Sequence, residues 1–90
     1  MNPSSPKVPV AAIEQALREA LAPESLTIID ESHLHAGHAG ASAGGHYRVQ
    51  IRSARFAGSS RIARHRLVYD ALAALIPQGI HALAIEADAA

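Results

Sequence analysis

Three histidines stand close together at His33, His35 and His38, and a fourth, His46, follows a segment rich in glycine and alanine. Neutral imidazole is a common ligand for zinc, copper, nickel and iron. Histidines two and three positions apart in a loop can bring two rings to one ion. The spacing therefore indicates metal or proton binding, and the alternative is a solvated loop that happens to be rich in histidine.

A self-contained zinc site is not predicted in this loop. A structural zinc site normally has four ligands in fixed geometry. No acidic residue or cysteine between His33 and His46 completes such a set, and the chain has no cysteine at all. A thiolate site made by this chain alone is therefore excluded.

His81 is an isolated histidine at the start of the last predicted strand, beside Gly79. Strand alternation places its side chain on the side of Leu83 and Ile85. A lone histidine on an apolar strand is more often a residue at the edge of the core with a backbone hydrogen bond. A ligand role requires a second group nearby, which the histidine loop could supply.

Arg61, Arg64, His65 and Arg66 form a second cluster, near the start of a predicted helix. Guanidinium groups and helix N-terminal amides can bind phosphates, so the cluster is a candidate nucleic-acid contact. The alternative is a solvated cationic face. A helix-turn-helix interpretation is weak, because the second helix would present mainly apolar side chains.

The composition describes one small domain with an uneven charge distribution. The chain has 90 residues and a formal net charge of zero, but residues 32–69 contain six arginines and no acidic residue. A neutral domain is a poor general nucleic-acid binder, although a local basic patch can meet an acidic partner or phosphates. No apolar run reaches the roughly 20 residues of a membrane span, and no signal-peptide pattern is present, so we expect a cytoplasmic protein without membrane contact.

The N-terminal part predicts a tail followed by a helix. Residues 1–8 are expected to be a disordered tail, and the domain is expected to cover residues 9–90. Val10, Ile13, Leu17 and Leu21 follow at spacings of three and four, which is one helical face. Pro23 is expected to end this helix.

The remaining pattern predicts three strands and a second helical region. Residues 26–30 are short and β-branched, and residues 46–52 alternate between apolar and polar, so these two strands should pair antiparallel across the histidine loop. A helical region is predicted from Arg61 to about Ile76, with Ser59 or Ser60 as N-cap and a possible internal break. Residues 80–87 read as the last strand. Three antiparallel or mixed strands covered by helices on one face make a two-layer α+β domain.

Catalytic patterns are missing from the sequence. No serine has a supporting base and orienting group, and the glycines of residues 36–45 do not lead from a strand into a helix, as a phosphate-binding loop would. Asp30 and Glu31 are adjacent, so on a strand they would point to opposite faces. We therefore do not expect an enzyme.

Five segments together resemble the BolA family. They are Asp30-Glu-Ser-His-Leu-His, His46-Tyr-Arg-Val, Ser53-Ala-Arg-Phe-Ala-Gly-Ser-Ser, Arg64-His-Arg-Leu-Val-Tyr and Gly79-Ile-His-Ala-Leu. The resemblance runs from about residue 10 to residue 87. It implies an α-β-β-α-α-β fold similar to class II KH domains, with a three-stranded sheet and the helices packed on one face.

The same resemblance implies partnership with a monothiol glutaredoxin and a bridging 2Fe–2S cluster. The partner and its glutathione would supply thiolates, and this chain would supply His81 and one loop histidine, with His35 first, His38 second and His46 third in order of preference. Because the chain has no cysteine, it resembles the histidine-type subgroup. Replacing thiolates by imidazoles raises a cluster's potential.

The resemblance also implies an alternative function, namely DNA-binding transcriptional regulation in morphology and stress responses through the region from Arg61 to Tyr69. The Gly-x-x-Gly loop of KH domains is replaced here by Gly58-Ser-Ser-Arg, which weakens an RNA-binding inference. A minor third hypothesis is metal or pH sensing by the loop histidines alone. The free protein is expected to be a monomer or a weak homodimer.

Overall fold

The computed structural model of this chain describes residues 7–32 and 45–90. These residues form an α-β-β-α-α-β order, as the resemblance implies. The elements are α1 (Val10–Leu21), β1 (Ser25–Asp30), β2 (Gly45–Ser53), a 3₁₀ turn (Ala54–Phe56), α2 (Arg61–Ala71), α3 (Ile76–Gly79) and β3 (Ile80–Ala89).

Helix α1 forms where the apolar periodicity predicts it. Ile13, Leu17 and Leu21 are buried on one face. The helix ends at Leu21, and the capping residue Ala22 adopts the left-handed conformation with φ 43° and ψ 56° and donates its N–H to Arg18 O. Pro23 follows and cannot extend the helix, which confirms the predicted end.

The sheet is mixed, with the strand order β1-β2-β3. Strands β1 and β2 pair antiparallel, as predicted, with Ile28 opposite Val49. Strands β2 and β3 pair parallel, with Val49 opposite Ile85. A parallel pair requires a crossover connection, and α2 and α3 provide it.

Alternation along β2 separates the core from the open face of the sheet. Tyr47, Val49 and Ile51 are buried, whereas Gln50 and Arg52 are exposed. The helices cover only the buried face, so the domain has two layers. The core between these layers consists of Val8, Ile13, Leu17, Leu21, Tyr47, Val49, Ile51, Phe56, Val68, Leu72, Ile80, Ile85 and Ala87.

The second helical region is divided, which confirms the possible internal break and the two helices that the resemblance implies. Helix α2 ends at Ala71, residues 72–75 are turns, and α3 begins at Ile76 with Pro77 in its first turn. A proline inside one long helix would lack the N–H that bonds four residues back, whereas the first turn tolerates it. Ser60 is the N-cap of α2, and its hydroxyl accepts the Ala63 N–H at 3.1 Å.

The folded domain begins earlier than predicted. Val8 is only 4% exposed within the core. The Tyr47 hydroxyl donates a hydrogen bond to Val8 O. Lys7 Nζ lies 2.7 Å from Asp30 Oδ2. The prediction of a disordered tail through residue 8 is therefore wrong for residues 7 and 8, and residues 1–6 lie outside the described part.

No helix within residues 7–32 and 45–90 has the length and apolar character needed to cross a membrane.

Candidate functional site

Two histidines from neighbouring strands meet at one end of the sheet. His46 lies near the start of β2 and His81 near the start of β3. Their ring centroids are 5.1 Å apart and the ring planes are inclined by 51°. Because β2 and β3 are parallel neighbours, their N-terminal ends bring these residues together although the sequence separates them widely.

A register shift in β3 gives His81 its position. Gly45 pairs with Ile80 and His46 pairs with Ala82, so His81 is an extra residue opposite β2. Such a bulge interrupts the alternation of side chains. His81 is exposed, whereas Ile80 is buried. The prediction that His81 lies on the core side with Leu83 and Ile85 is therefore wrong.

The two rings differ in access to solvent. His46 is only 9% exposed, whereas His81 belongs to the exposed residues. The backbone of His46 is fixed on the side of β1, where its carbonyl accepts the Glu31 N–H at 2.7 Å and its N–H donates to Ser32 Oγ at 3.0 Å. The pair therefore combines a buried ring on a fixed backbone with an accessible ring.

Asp30 organises the chain beside His46. Its Oδ1 accepts both the Ser32 N–H, at 2.9 Å, and the Ser32 hydroxyl, at 2.6 Å. Partial burial opposes ionisation of Asp30, but the hydrogen bonds from Lys7 and Ser32 outweigh it and lower the pKa to about 2. Asp30 is therefore an anion throughout the neutral range.

A cleft of about 250 Å³ adjoins the buried histidine, and Glu31, His46, Tyr47, Ala82, Leu83 and Ala84 line it. Glu31 Oε2 is 3.0 Å from Arg48 Nε, and Arg48 Nη1 is 3.0 Å from Glu86 Oε2. Hydrogen bonds to Glu31 and Glu86 raise the pKa of Arg48. The carboxylate beside the histidines is thus already neutralised by an ion pair.

His46 and His81 form an incomplete ligand set. Across residues 7–32 and 45–90, no group of three or more histidine, cysteine, aspartate or glutamate side chains is arranged to hold a metal ion. Imidazole nitrogen suits iron, so the donor chemistry of the pair fits two positions of an iron–sulfur cluster. The other predicted loop ligands, His33, His35 and His38, lie outside the described residues.

The basic cluster on α2 is divided between structural and exposed side chains. Arg64 Nε donates to Ser59 O at 3.0 Å and its Nη1 donates to Ala87 O at 3.1 Å, so this guanidinium ties α2 to the preceding turn and to β3. Arg61 and Arg66 are exposed and His65 is half-buried. Arg64 therefore has a structural role, whereas Arg61 and Arg66 remain exposed to solvent.

A cleft of about 350 Å³ lies beside this cluster. Arg61, Arg64 and His65 contribute one part of its lining, while Glu86 and Asp88 from β3 contribute another, together with Ile85 and Ala87. The two carboxylates reduce the positive potential that phosphates would need.

Sequence reasoning missed the groups that hold His46, namely Ser32 with Asp30, and the bridging Arg48. The signal for Ser32 was available, because an aspartate two residues before a serine commonly forms a local side-chain-to-backbone turn. Arg48 offered no such signal, since its partners lie 17 and 38 positions away.

Comparisons with known proteins agree with the fold. A BolA sequence profile, described as BolA-like protein, matches residues 17–90. BolA-like protein 1 of Mus musculus is 47% identical over 77 residues, which cover 86% of this chain and 55% of that protein. The solved structure of BolA1 from Arabidopsis thaliana has a TM-score of 0.79 at 36% identity, covering 91% of this chain and 92% of that one.

The chain belongs to the BolA family. The similarity includes a bacterial relative, the DNA-binding transcriptional regulator BolA of Escherichia coli, which is 40% identical over 73 residues, or 81% of this chain and 68% of that protein. This chain spans little more than half the length of the mouse relative.

Proposed function

We propose that this protein is a non-enzymatic adaptor that binds a monothiol glutaredoxin and helps to coordinate a bridging 2Fe–2S cluster, in iron–sulfur trafficking or in iron and redox regulation. The observation that carries the proposal is the contact between exposed His81 and buried His46, with ring centroids 5.1 Å apart, in a chain without cysteine. Membership of the BolA family supports it.

The ligand set explains why a partner is required. Two imidazoles leave an iron–sulfur cluster without most of its ligands, because such clusters are usually held by cysteine thiolates. In this proposal the glutaredoxin and its glutathione supply the thiolates, and this chain supplies nitrogen. When bound, the cluster provides redox chemistry, while this chain's residues contribute binding, orientation and exclusion of water.

His81 is the first proposed ligand, since it is exposed at the sheet end. The second is a loop histidine, with His35 before His38 and His46. The described geometry supports His46 as the neighbour of His81. His46 is then either the second ligand or a ring that packs against His81 without binding the cluster. The adaptor role needs no nucleophile or general base.

Replacement of His81 tests the adaptor role. Wild-type protein added to a glutaredoxin carrying a glutathione-bound 2Fe–2S cluster should change the visible circular dichroism of the cluster, and His81→Ala should remove that change. His65→Ala is the matched control, because it deletes a half-buried histidine on α2 instead. If the spectrum with His81→Ala equals the wild-type spectrum, His81 is not a ligand.

Separate replacements identify the second ligand. His35→Ala, His38→Ala and His46→Ala are each mixed with the loaded glutaredoxin, and the variant that shifts the cluster spectrum towards that of His81→Ala marks the ligand. Because His46 is buried, its variant also needs an unfolding curve, so that loss of fold is distinguished from loss of a ligand.

A second candidate function is DNA-binding transcriptional regulation, favoured by the exposure of Arg61 and Arg66 and by the name of the Escherichia coli relative. Phosphate contacts would give an affinity that falls steeply with salt. The most specific test is the double variant Arg61→Ala and Arg66→Ala. Replacing Arg64 would also break its structural hydrogen bonds to Ser59 and Ala87. Absence of any mobility shift at low salt would exclude this function.

A further inference from the structure

Ser32 connects the end of β1 to the start of β2, directly beside the histidine pair. Its hydroxyl donates to Asp30 Oδ1 at 2.6 Å and accepts the His46 N–H at 3.0 Å. A single side chain therefore bonds both strands at the position where their regular ladder ends. The last paired residues of that ladder are Asp30 and Tyr47.

The hydroxyl takes the place of a backbone bond. In an antiparallel pair, two opposed residues normally exchange two N–H to carbonyl bonds. Here the Glu31 N–H donates to His46 O at 2.7 Å, but the His46 N–H donates to Ser32 Oγ. The backbone of His46 is thus fixed by one backbone bond and one side-chain bond.

Asp30 fixes the direction of that side-chain bond. Because a carboxylate only accepts, the Ser32 hydroxyl proton must point to Asp30, which leaves an oxygen lone pair for the His46 N–H. Lys7 Nζ holds the second carboxylate oxygen at 2.7 Å. The series Lys7, Asp30, Ser32 and His46 is therefore polarised in one direction.

We propose that Ser32 is a positioning residue whose hydroxyl holds the His46 backbone so that the His46 ring packs against His81. Its functional importance rests on the proposed cluster role of His81, but the positioning itself does not. Without the hydroxyl, the His46 backbone keeps its bond to the Glu31 N–H but loses its bond to Ser32. The His46 ring is then less well positioned for its contact with His81, in which the ring centroids are 5.1 Å apart.

Ser32→Ala tests the positioning by NMR on the free protein. We expect the imidazole resonances of both His46 and His81 to move, the cross-relaxation between the two rings to weaken, and exchange of the His46 amide to accelerate about tenfold, as for loss of one hydrogen bond. Ser32→Thr retains a hydroxyl and should restore the wild-type signals. Asp30→Asn leaves the serine in place and should produce a smaller shift of the same resonances.

Ser53→Ala is the matched control at the opposite end of β2. Ser53 also bridges elements through its hydroxyl, which donates to Leu21 O and accepts the Arg55 N–H at 3.1 Å. This variant should lower stability yet leave both imidazoles unchanged. Wild-type imidazole signals in Ser32→Ala, or equal shifts in Ser53→Ala, would overturn the positioning role. An unchanged cluster spectrum in His81→Ala would instead overturn the ligand role alone.

Discussion

At the level of single residues, the two histidines of the sheet end have different surroundings. His46 is buried and its backbone is bonded on the β1 side, whereas His81 is exposed on a bulge. An exposed imidazole can reach a group held by another protein, and the contact with a buried neighbouring ring limits its freedom. This division of roles is the residue-level basis of the adaptor proposal.

Acid should weaken the fold through Asp30. Its folded-state pKa of about 2 lies below the ordinary value of 3.8. A lowered pKa means that the ionised group stabilises the fold above pH 4, and that this contribution is lost as the pH falls through about 2. Because the side chain is 32% exposed, solvent screening leaves about 1 kcal/mol of the contribution.

Urea unfolding of Asp30→Asn at several pH values measures this contribution. The variant should be about 1 kcal/mol less stable than wild type at pH 7, and the difference should shrink as the pH falls through about 2. Lys7→Met, which removes one of the hydrogen bonds to Asp30, should lose part of the same increment. A difference between Asp30→Asn and wild type that persists unchanged at pH 2 would refute the assignment.

At the level of elements, the sequence predicted those with two contrasting faces. Ile13, Leu17 and Leu21 mark α1 by helical spacing, and Tyr47, Val49 and Ile51 mark β2 by alternation. Such patterns record burial directly, because the solvent-facing positions between them are polar. The resemblance to the BolA family supplied the divided helical region that the pattern alone left open.

The predictions from sequence periodicity were incomplete for elements in which a local irregularity interrupts the helical or strand period. The bulge at His81 adds one residue to β3, and a period of two cannot show where an extra residue falls. The apolar residues of α2 continue into the turns at residues 72–75, so periodicity alone did not end the helix at Ala71. The place of His81 at the start of the last strand was therefore predictable from the sequence, whereas its orientation was not.

The end of α1 predicts a stabilising substitution. Ala22 has φ 43°, a conformation that costs an L-residue about 1 kcal/mol and that glycine adopts freely. Ala22→Gly should raise the free energy of unfolding by about 0.5 kcal/mol after the larger backbone entropy of the unfolded chain is deducted. Thermal unfolding is the measurement.

Ala20→Gly is the control for that substitution. Ala20 is exposed within the same helix, where glycine costs roughly 0.5–1 kcal/mol, so this variant should be less stable than wild type. Destabilisation by both substitutions would show that the left-handed residue at position 22 is not under strain.

At the level of the whole molecule, charges that are segregated along the sequence are mixed in space. Arg48 comes from the basic segment of residues 32–69, yet it bonds Glu31, which precedes that segment, and Glu86, which follows it. The folded sheet therefore neutralises part of the basic field predicted from the sequence. This mixing weakens a purely electrostatic nucleic-acid role and leaves the histidine pair as the distinctive chemistry.

The N-terminal segment should contribute to global stability. Val8 is 4% exposed, and its carbonyl accepts the Tyr47 hydroxyl. Val8→Ala should lower the free energy of unfolding by about 1–3 kcal/mol, as expected for truncation of a core side chain. Lys7→Ala, which removes an exposed ion pair, should cost less than about 1 kcal/mol in the same denaturation experiment. If both variants leave the free energy of unfolding unchanged, residues 7 and 8 are part of the tail and not of the folded domain.

The central claim is that this chain donates histidine nitrogen to a shared cluster, and pulsed electron paramagnetic resonance tests it most directly. The protein is labelled with ring-¹⁵N histidine, combined with an unlabelled glutaredoxin carrying the 2Fe–2S cluster, and reduced. The account predicts a nitrogen coupling that changes from ¹⁴N to ¹⁵N with the label and is lost or reduced in His81→Ala. A reduced cluster that shows no coupling to labelled histidine would contradict it.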